Sequence, residues 1–213
     1  MESYTGVVRP VRKELSVKNM LSRGIPKHFL DVSLDDFDTD GNEKRERAKQ
    51  HICSYLTNID KTLRDGKGLY LYGSNGVGKT MLGSIIVKET YRYRYTSKRL
   101  TFVEYIDQYT KIWKAQSVDE REAMEDSFYH YIKSVDFLVL EEIGKEQTKL
   151  DMAVTILEDC LRYREEKGLC TIICTNMSLE ELVGLYKSKS IESLIRGSMT
   201  PIKIVGEDRR AKK

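Results

Sequence analysis

The sequence predicts an α/β fold in which helices cover both faces of a parallel sheet. Short apolar runs typical of buried strands alternate with longer segments of helical periodicity, and a glycine-rich loop joins one such run to the next helix. The chain has 213 residues, 40% of them hydrophobic, which is enough for one domain with a sizeable core. We expect that domain over residues 25–213, ending in a basic tail, and a flexible basic arm over residues 1–24 that could contact a partner.

The individual elements follow from apolar spacing and from residues that start or stop helices. Gly66 and Gly168 end two of the helical patterns, and Ser178 with Glu181 forms a capping box that starts another helix. The predicted strands span residues 69–72, 100–103, 137–140, 169–174 and 202–205. The predicted helices span residues 43–64, 81–95, 106–115 and 149–166, with further helices beginning near 119 and 178.

Composition excludes several classes of protein. Only three prolines and nearly balanced charge, 36 basic against 33 acidic residues, argue against a disordered chain. No apolar run is long enough to cross a bilayer or to act as a signal peptide, so we expect a cytoplasmic protein with no membrane partner. The four cysteines lack the spacing of a metal site, and we expect Cys170 and Cys174, which lie in or beside an apolar run, to be buried free thiols.

Charge is concentrated at the two ends. Residues 1–24 and residues 203–213 each carry five basic and two acidic residues, so the segment between them is net acidic. Basic ends are a usual place for contact with a polyanion, although they also occur simply as solvated termini.

The strongest motif is the glycine-rich loop that follows the strand predicted over residues 69–72. Its glycines let several backbone N–H groups point at phosphate oxygens, Lys79 supplies a positive charge, and Thr80 offers a hydroxyl to Mg²⁺. The helix that follows directs its positive end toward the same anion. The predicted nucleotide-binding residues are Gly73, Ser74, Asn75, Gly76, Val77, Gly78, Lys79, Thr80 and Met81.

Two later strands end in polar side chains that suit a phosphate-loop ATPase. Glu141 and Glu142 follow an apolar run, and we predict that Glu141 joins Thr80 as a magnesium ligand while Glu142 polarises the attacking water. Asn176 follows the next apolar run and could orient that water or contact the terminal phosphate. The alternatives are a solvated strand end for the two acids and a turn for the asparagine.

An ordered set of motifs extends over nearly the whole chain. These segments are residues 24–29, 33–37, 73–80, 135–144, 174–176 and 204–210. Together they resemble the AAA+ ATPase domain of bacterial and phage replicative helicase loaders, the DnaC/DnaI-like ATPases, which are related to the transposition ATPase IstB. The resemblance implies a P-loop ATPase domain with little or no C-terminal lid, which hydrolyses ATP to ADP with Mg²⁺.

The same resemblance implies partners and site residues. Such loaders self-associate through ATP at subunit junctions and engage a replicative ring helicase and single-stranded DNA. Glu142 matches the catalytic glutamate, Asn176 the first sensor, and Arg196 is our candidate for the arginine that acts on a neighbour's nucleotide. Arg209 and Arg210 are the next candidates for that role.

Two departures from the family pattern affect this expectation. Glu141 stands where the family usually has Asp, so its carboxylate lies about one carbon–carbon bond further out, which alters the expected metal geometry. Loaders of this type usually carry a separate N-terminal helicase-binding domain, whereas about two dozen residues precede Gly24 here. The arm could fold on its partner, another protein could supply that contact, or the partner could be something other than the helicase.

Residues 91–99 give a further hypothesis about DNA. They hold three tyrosines and four basic residues without an acid, a composition that suits single-strand binding through stacking and phosphate contacts. The alternative is that some rings belong to the core, because Tyr91 and Tyr95 share a helix face. We also expect Trp113 to pack in the core.

Three other functions remain open at the level of sequence. An IstB-like ATPase would act on duplex DNA with a transposase, and a nucleotide-gated binding module would show negligible hydrolysis, for which Glu141 gives some support. A small-molecule kinase would explain the phosphate loop but not the basic ends or the later motifs.

Overall fold

A five-stranded parallel sheet forms the centre of the protein in the computed structural model, which describes residues 15–146 and 150–209. The strands lie in the order β2-β3-β4-β1-β5 and are Gly68–Tyr72 (β1), Ser97–Thr101 (β2), Phe137–Glu141 (β3), Cys170–Thr175 (β4) and Met199–Lys203 (β5). The predicted fold class, helices on both faces of a parallel sheet, is confirmed.

Nine α-helices accompany these strands within the described residues. They are Val17–Ser22 (α1), Glu43–Thr57 (α2), Ile59–Arg64 (α3), Lys79–Arg92 (α4), Phe102–Ile112 (α5), Val118–Phe128 (α6), Leu150–Glu166 (α7), Leu179–Tyr186 (α8) and Lys189–Ser198 (α9). A short 3₁₀ turn covers Lys27–Phe29, and a π-helical turn, Tyr129–Lys133, extends α6. None of these helices has the length and hydropathy that crossing a bilayer would require.

The sheet divides the core into two layers because alternate side chains of a strand point to opposite faces. Leu138 and Leu140 of β3 pack with α5, α7, α8 and α9, whereas Phe137 and Val139 pack with α2 and α4. Both layers are fully closed, and every residue of β3 is buried. A strand buried on both faces reads as a continuous apolar run, which is why the sequence revealed it.

The carboxyl ends of β1, β3 and β4 lie level with each other. Tyr72 pairs with Thr175, and Glu141 pairs with Cys174, so the loops that follow these three strands leave the sheet side by side. In parallel α/β sheets, ligands bind at this edge. The topology therefore brings together the glycine-rich loop, the two acids and Asn176.

The structure corrects several predicted boundaries. The strand predicted over 100–103 lies at Ser97–Thr101, because Thr101 and Glu104 form a capping box that starts α5 at Phe102. The last strand lies at Met199–Lys203, not 202–205. The helix predicted over 43–64 is interrupted at Asn58, whose backbone leaves helical geometry while its side chain donates to the Ser54 carbonyl at 2.9 Å.

The segment that precedes Gly24 is partly ordered. Ser16 caps α1, and Met20 from this helix is buried against the layer formed by α2 and α4. This part of the predicted flexible arm is therefore packed on the domain. Residues 1–14 of the arm, residues 147–149 and the tail residues 210–213 lie outside the described residues.

Candidate nucleotide site

The glycine-rich loop leaves β1 and passes close to the last segment of the chain. Gly73 and Gly76 have φ angles of 151° and 70°, in the region that favours glycine. A Cβ atom on Gly73 would lie 2.0 Å from the Ile204 carbonyl oxygen, and one on Gly76 would lie 1.8 Å from a carboxylate oxygen of Asp208. Larger residues would therefore displace the loop or the segment that lies against it.

Lys79 begins α4 and reaches back over the loop. Its ammonium group donates to the carbonyl oxygens of Gly73 at 2.8 Å and Ser74 at 2.6 Å. The N-terminal end of α4, a 14-residue helix, also faces the loop. A phosphate held here would meet the Lys79 ammonium, the helix N-terminus and the backbone N–H groups together.

Glu141 is the last residue of β3 and only 3% of it is exposed. The Thr80 hydroxyl donates to its Oε2 atom at 3.2 Å, so the two predicted magnesium ligands are in contact. Gly83 of α4 lies directly over the carboxylate, and a Cβ there would come within 3.2 Å of Oε1. The acid is thus enclosed between the sheet and α4.

Arg99 of β2 forms a two-pronged ion pair with Glu141, which the sequence did not predict. Its Nε atom donates to Oε1 at 2.9 Å and its Nη2 atom to Oε2. The remaining prong, Nη1, donates to the Gly24 carbonyl at 2.7 Å, and the Arg99 backbone N–H donates to the Arg23 carbonyl at 2.8 Å. The same arginine therefore contacts Glu141 at the end of β3 and the segment that follows α1.

Glu142 follows immediately and has a different environment. Its side chain is 53% exposed and its backbone has a φ angle of 60°, which is uncommon for a residue other than glycine. The backbone N–H donates to the Cys174 carbonyl at 2.9 Å, and the carboxylate lies 3.4 Å from the Lys145 ammonium. Of the two adjacent acids, Glu141 is thus buried and paired with an arginine, whereas Glu142 is accessible from solvent.

Asn176 lies just beyond β4 and connects that strand with the loop. Its Nδ2 atom donates to the Oδ1 atom of Asn75 at 2.8 Å. Thr175, the residue before it, is anchored because its hydroxyl donates to the Ile143 carbonyl at 2.8 Å. The amide is therefore held beside the loop from a rigid strand end.

These residues surround one cavity of about 740 Å³. It is lined by Pro26, His28, Phe29, Asn75, Gly76, Gly78, Lys79, Thr80, Met81, Arg99, Thr101, Glu141, Glu142, Lys145, Cys174, Thr175, Asn176 and Arg209. The loop, both acids and Asn176 are thus brought together. Gly73, Ser74 and Val77 belong to the loop but do not line the cavity, and Val77 is fully buried.

The three candidate arginines differ in position. Arg196 lies on α9 away from the cavity, with 55% of its side chain exposed, and pairs with Glu192 at 2.9 Å and Glu180 at 3.4 Å. Arg209 lines the cavity of its own chain and pairs with Asp38 and Asp40. Arg210 lies outside the described residues.

A second arginine that the sequence did not single out supports the loop. Arg45 is 2% exposed and donates to the carbonyls of Val77 at 3.1 Å and Val205 at 2.6 Å. It also donates to the Asp38 carbonyl, and its guanidinium lies over the Phe37 ring. Burial lowers the pKa of this guanidinium from its ordinary value. Its spacing from Ala48 and Ile52, three and seven residues further on, places it on the apolar face of α2, but its partners follow only from tertiary contacts.

The tyrosines of residues 91–99 take part in packing. Tyr91 is 5% exposed beneath the Arg23 guanidinium, and Tyr95 packs edge-on against Phe137. The Tyr95 hydroxyl contacts Asp60, and burial raises its pKa to about 12. These two rings are therefore not presented to DNA bases, so the core alternative accounts for them better.

The donor set fits magnesium bound together with a nucleotide. Within the described ranges, no three His, Cys, Asp or Glu residues cluster as an all-protein metal site would need. Mg²⁺ commonly takes one or two protein oxygen ligands and completes its shell with water and phosphate oxygens. The Thr80 hydroxyl and the Glu141 carboxylate supply such ligands at the edge of the cavity.

Comparisons with known proteins agree with this architecture. No family model matches the chain. The chain is 26% identical over 217 residues to the replicative helicase loader DnaI of Bacillus subtilis strain 168, covering 94% of this chain and 67% of the relative. A crystal structure of DnaI matches 84% of this chain and 94% of its own, with 26% identity and a TM-score of 0.66.

Two further solved structures share the fold. A crystal structure of the DnaC helicase loader has a TM-score of 0.71 and 22% identity, covering 84% of this chain and all of that one. DnaA from Aquifex aeolicus, solved with AMPPCP, has a TM-score of 0.62 and 19% identity, covering 87% of this chain and 53% of that one. The chain is therefore a homologue of the helicase loader DnaI with the fold of an AAA+ P-loop ATPase domain.

Proposed function

We propose that this protein is an ATP-dependent loader of a replicative DNA helicase. The observation that carries the proposal is the convergence of the phosphate loop, Glu141, Glu142 and Asn176 on one cavity at the carboxyl edge of the sheet. The homology to a replicative helicase loader over most of the chain supports the choice among ATPase functions.

Each side chain has a role that follows from its position. Lys79 and the N-terminus of α4 hold the phosphates of ATP, and Thr80 and Glu141 are the ligands for magnesium, which neutralises phosphate charge when bound. Glu142 is accessible from solvent beside the cavity, so it can orient a water molecule and accept its proton. Asn176 is held next to the loop and can contact the terminal phosphate.

Assembly would complete the site. Hydrolysis of ATP develops charge on the transferred phosphoryl group, and an arginine from a neighbouring subunit is a known means of stabilising it. Arg196 is exposed and does not line its own cavity, as expected of a residue that serves a neighbour. We propose that subunits associate through ATP and bring Arg196 to the adjacent nucleotide.

The proposed partners are a ring helicase and single-stranded DNA. DnaI is named as a replicative helicase loader, and a DnaA structure that shares the fold at 17% identity was solved with AMPPCP and single-stranded DNA. Since Tyr91 and Tyr95 are packed, any DNA contact in this region would depend on basic side chains such as Arg92 and the exposed Arg94.

Two measurements test the proposal. Calorimetry should detect ATP binding in the presence of magnesium, and this binding should be lost in Lys79→Ala. A pull-down against purified ring helicases, with and without ATP, should retain a helicase with the parent and less of it with Lys79→Ala. A parent protein that binds ATP but captures no helicase and prefers duplex DNA would instead favour the IstB-like alternative.

A nucleotide-gated binding module is a second candidate, because Arg99 already neutralises the acid assigned to the metal. Phosphate release measured with helicase and single-stranded DNA separates the two. If the parent and Glu142→Gln release phosphate equally slowly while both bind ATP, the binding module is correct. If the parent is faster, the protein is an ATPase.

A further inference from the structure

Arg99 and Glu141 form a pair at the position that the proposed function gives to magnesium. We propose that Arg99 competes with the divalent cation for the Glu141 carboxylate and thereby sets how much divalent cation the nucleotide site requires. The inference rests on the proposed function, since it concerns the same site. Arg99 is a positioning residue in this account because it acts through Glu141.

The pairing follows from the register of neighbouring strands. Arg99 of β2 is paired with Val139 of β3, and Glu141 lies two residues further along β3 on the same face. An aspartate at this position would fall about one carbon–carbon bond short of the same reach. The glutamate therefore allows one carboxylate to contact both Arg99 and the Thr80 hydroxyl.

Both oxygens of the buried Glu141 carboxylate are already engaged by Arg99. The carboxylate is 3% exposed, both of its oxygens accept from the guanidinium, and Gly83 of α4 lies over Oε1. A cation that binds Glu141 must therefore share or displace an oxygen held by Arg99. It must also approach a second positive charge in a poorly hydrated place, where charges interact more strongly than in water.

The opposite effect applies to nucleotide without metal. The Arg99 guanidinium lines the cavity and adds positive charge at the edge where phosphates would lie. It partly performs the neutralising task that a divalent cation performs in other phosphate-loop sites. Arg99 should therefore strengthen metal-free binding of ATP while weakening the binding of the cation.

Arg99 also links the site to the segment that follows α1. Its Nη1 atom and backbone N–H donate to the carbonyls of Gly24 and Arg23, and the neighbouring Lys98 donates to the Ser22 carbonyl at 2.7 Å. We expect that a cation that draws Glu141 away from Arg99 also weakens the contacts of Arg99 with this segment, because the same side chain makes both sets of contacts. Binding of Mg²⁺ with ATP would thus weaken the contacts that hold the segment after α1 to β2.

Calorimetric titration of ATP at fixed concentrations of Mg²⁺, and in EDTA, tests the competition. In Arg99→Gln, the Mg²⁺ concentration that gives half of the magnesium-dependent gain in ATP affinity should be at least fivefold lower than in the parent. The variant should also bind ATP in EDTA at least fivefold more weakly than the parent does. Two changes of opposite sign distinguish competition from simple damage to the site. Arg121→Gln, in which an exposed arginine of α6 is changed, should match the parent in both measurements.

Arg99→Lys protects the test against a variant that fails to fold, because it keeps the charge and loses the two-pronged contact. It should shift the magnesium requirement in the same direction by at least twofold. An unchanged requirement in the folded Arg99 variants overturns the competition while leaving the proposed function intact. A parent that takes up no ATP at any magnesium concentration overturns both.

Hydrogen exchange tests the link to the start of the domain. Addition of Mg²⁺ and ATP to the parent should speed exchange of the Arg99 amide at least fivefold relative to ATP in EDTA, because that amide donates to Arg23. Equal exchange in the two conditions would overturn the link.

Discussion

At each end of the sheet an arginine donates hydrogen bonds to the strands, and the two arginines have different acceptors. At the amino edge, Arg164 of α7 is fully buried and donates to the Thr171 hydroxyl and to the carbonyls of Lys133, Val135, Asp136 and Cys170. At the carboxyl edge, Arg99 is paired with a carboxylate. The neutral acceptors of Arg164 hold β3 and β4 together, and a cation would gain little by replacing the arginine there. The carboxylate that accepts from Arg99 can also bind a cation, so the contacts of Arg99 at the carboxyl edge would depend on what binds there.

The largest expected effect is on stability at the amino edge. Arg164→Met should lower the free energy of unfolding by at least about 3 kcal/mol, because the carbonyl groups that Arg164 satisfies would be left buried without donors. Arg162→Met, two residues away and exposed, should change it by less than about 0.5 kcal/mol. Urea unfolding measures both. Equal stability of the two variants would remove the structural role given to Arg164.

The next effect is on turnover at the carboxyl edge. Glu142→Gln should lower kcat for ATP hydrolysis about 100-fold, since the amide cannot accept a proton from water. Its unfolding midpoint should remain that of the parent, because the side chain is half-exposed. Glu125→Gln, an exposed acid of α6, is the matched control and should leave both quantities unchanged. Normal turnover in Glu142→Gln would exclude Glu142 as the base.

A smaller effect should show that Glu142 is held in strained geometry. Glu142→Gly should raise the free energy of unfolding by about 0.5–1 kcal/mol, because glycine adopts a φ angle of 60° without steric cost. Its turnover should be as low as that of Glu142→Gln, since both variants lack the carboxylate. The same change in a helix, Glu125→Gly, should lower the free energy of unfolding by about 1 kcal/mol. Chemical denaturation provides the comparison. A lower free energy of unfolding in Glu142→Gly would mean that the side-chain contacts of Glu142 stabilise the fold by more than its backbone strain destabilises it.

The smallest effect concerns thiols on the same strand. Cys170 and Cys174 lie near opposite ends of β4, and burial raises the pKa of Cys170 to about 12 and that of Cys174 well above its ordinary value. Both, like the buried Cys160 of α7, should therefore stay protonated and unreactive toward maleimide at pH 8, whereas the exposed Cys53 reacts. Mass spectrometry of the native protein should find one label, on Cys53. A second label on Cys174 would show that the carboxyl edge opens.

Sequence reasoning predicted which residues lie together where the pattern is local in the chain. A phosphate loop uses consecutive backbone groups, and Glu141 and Asn176 lie at the ends of apolar strands, so their position around one cavity could be predicted from strand ends. Arg99 and Arg45 could not be predicted, because their contacts depend on strand register and on segments far away in sequence. The boundary of β2 was missed although Thr101 and Glu104 have the spacing of a capping box. Trp113 was expected in the core but is 57% exposed. The apolar spacing did not show that α5 ends at Ile112, which places Trp113 just beyond the helix.

Arg45 has a consequence for how the protein is made. Its guanidinium joins Val77 of the loop to Val205, and Gly73 lies against Ile204, so the segment that follows β5 must be in place before the loop is supported. Synthesis proceeds from the amino end, so the loop leaves the ribosome more than 100 residues before this segment does. A nascent chain that still lacks the segment after β5 would therefore have no finished phosphate-binding loop.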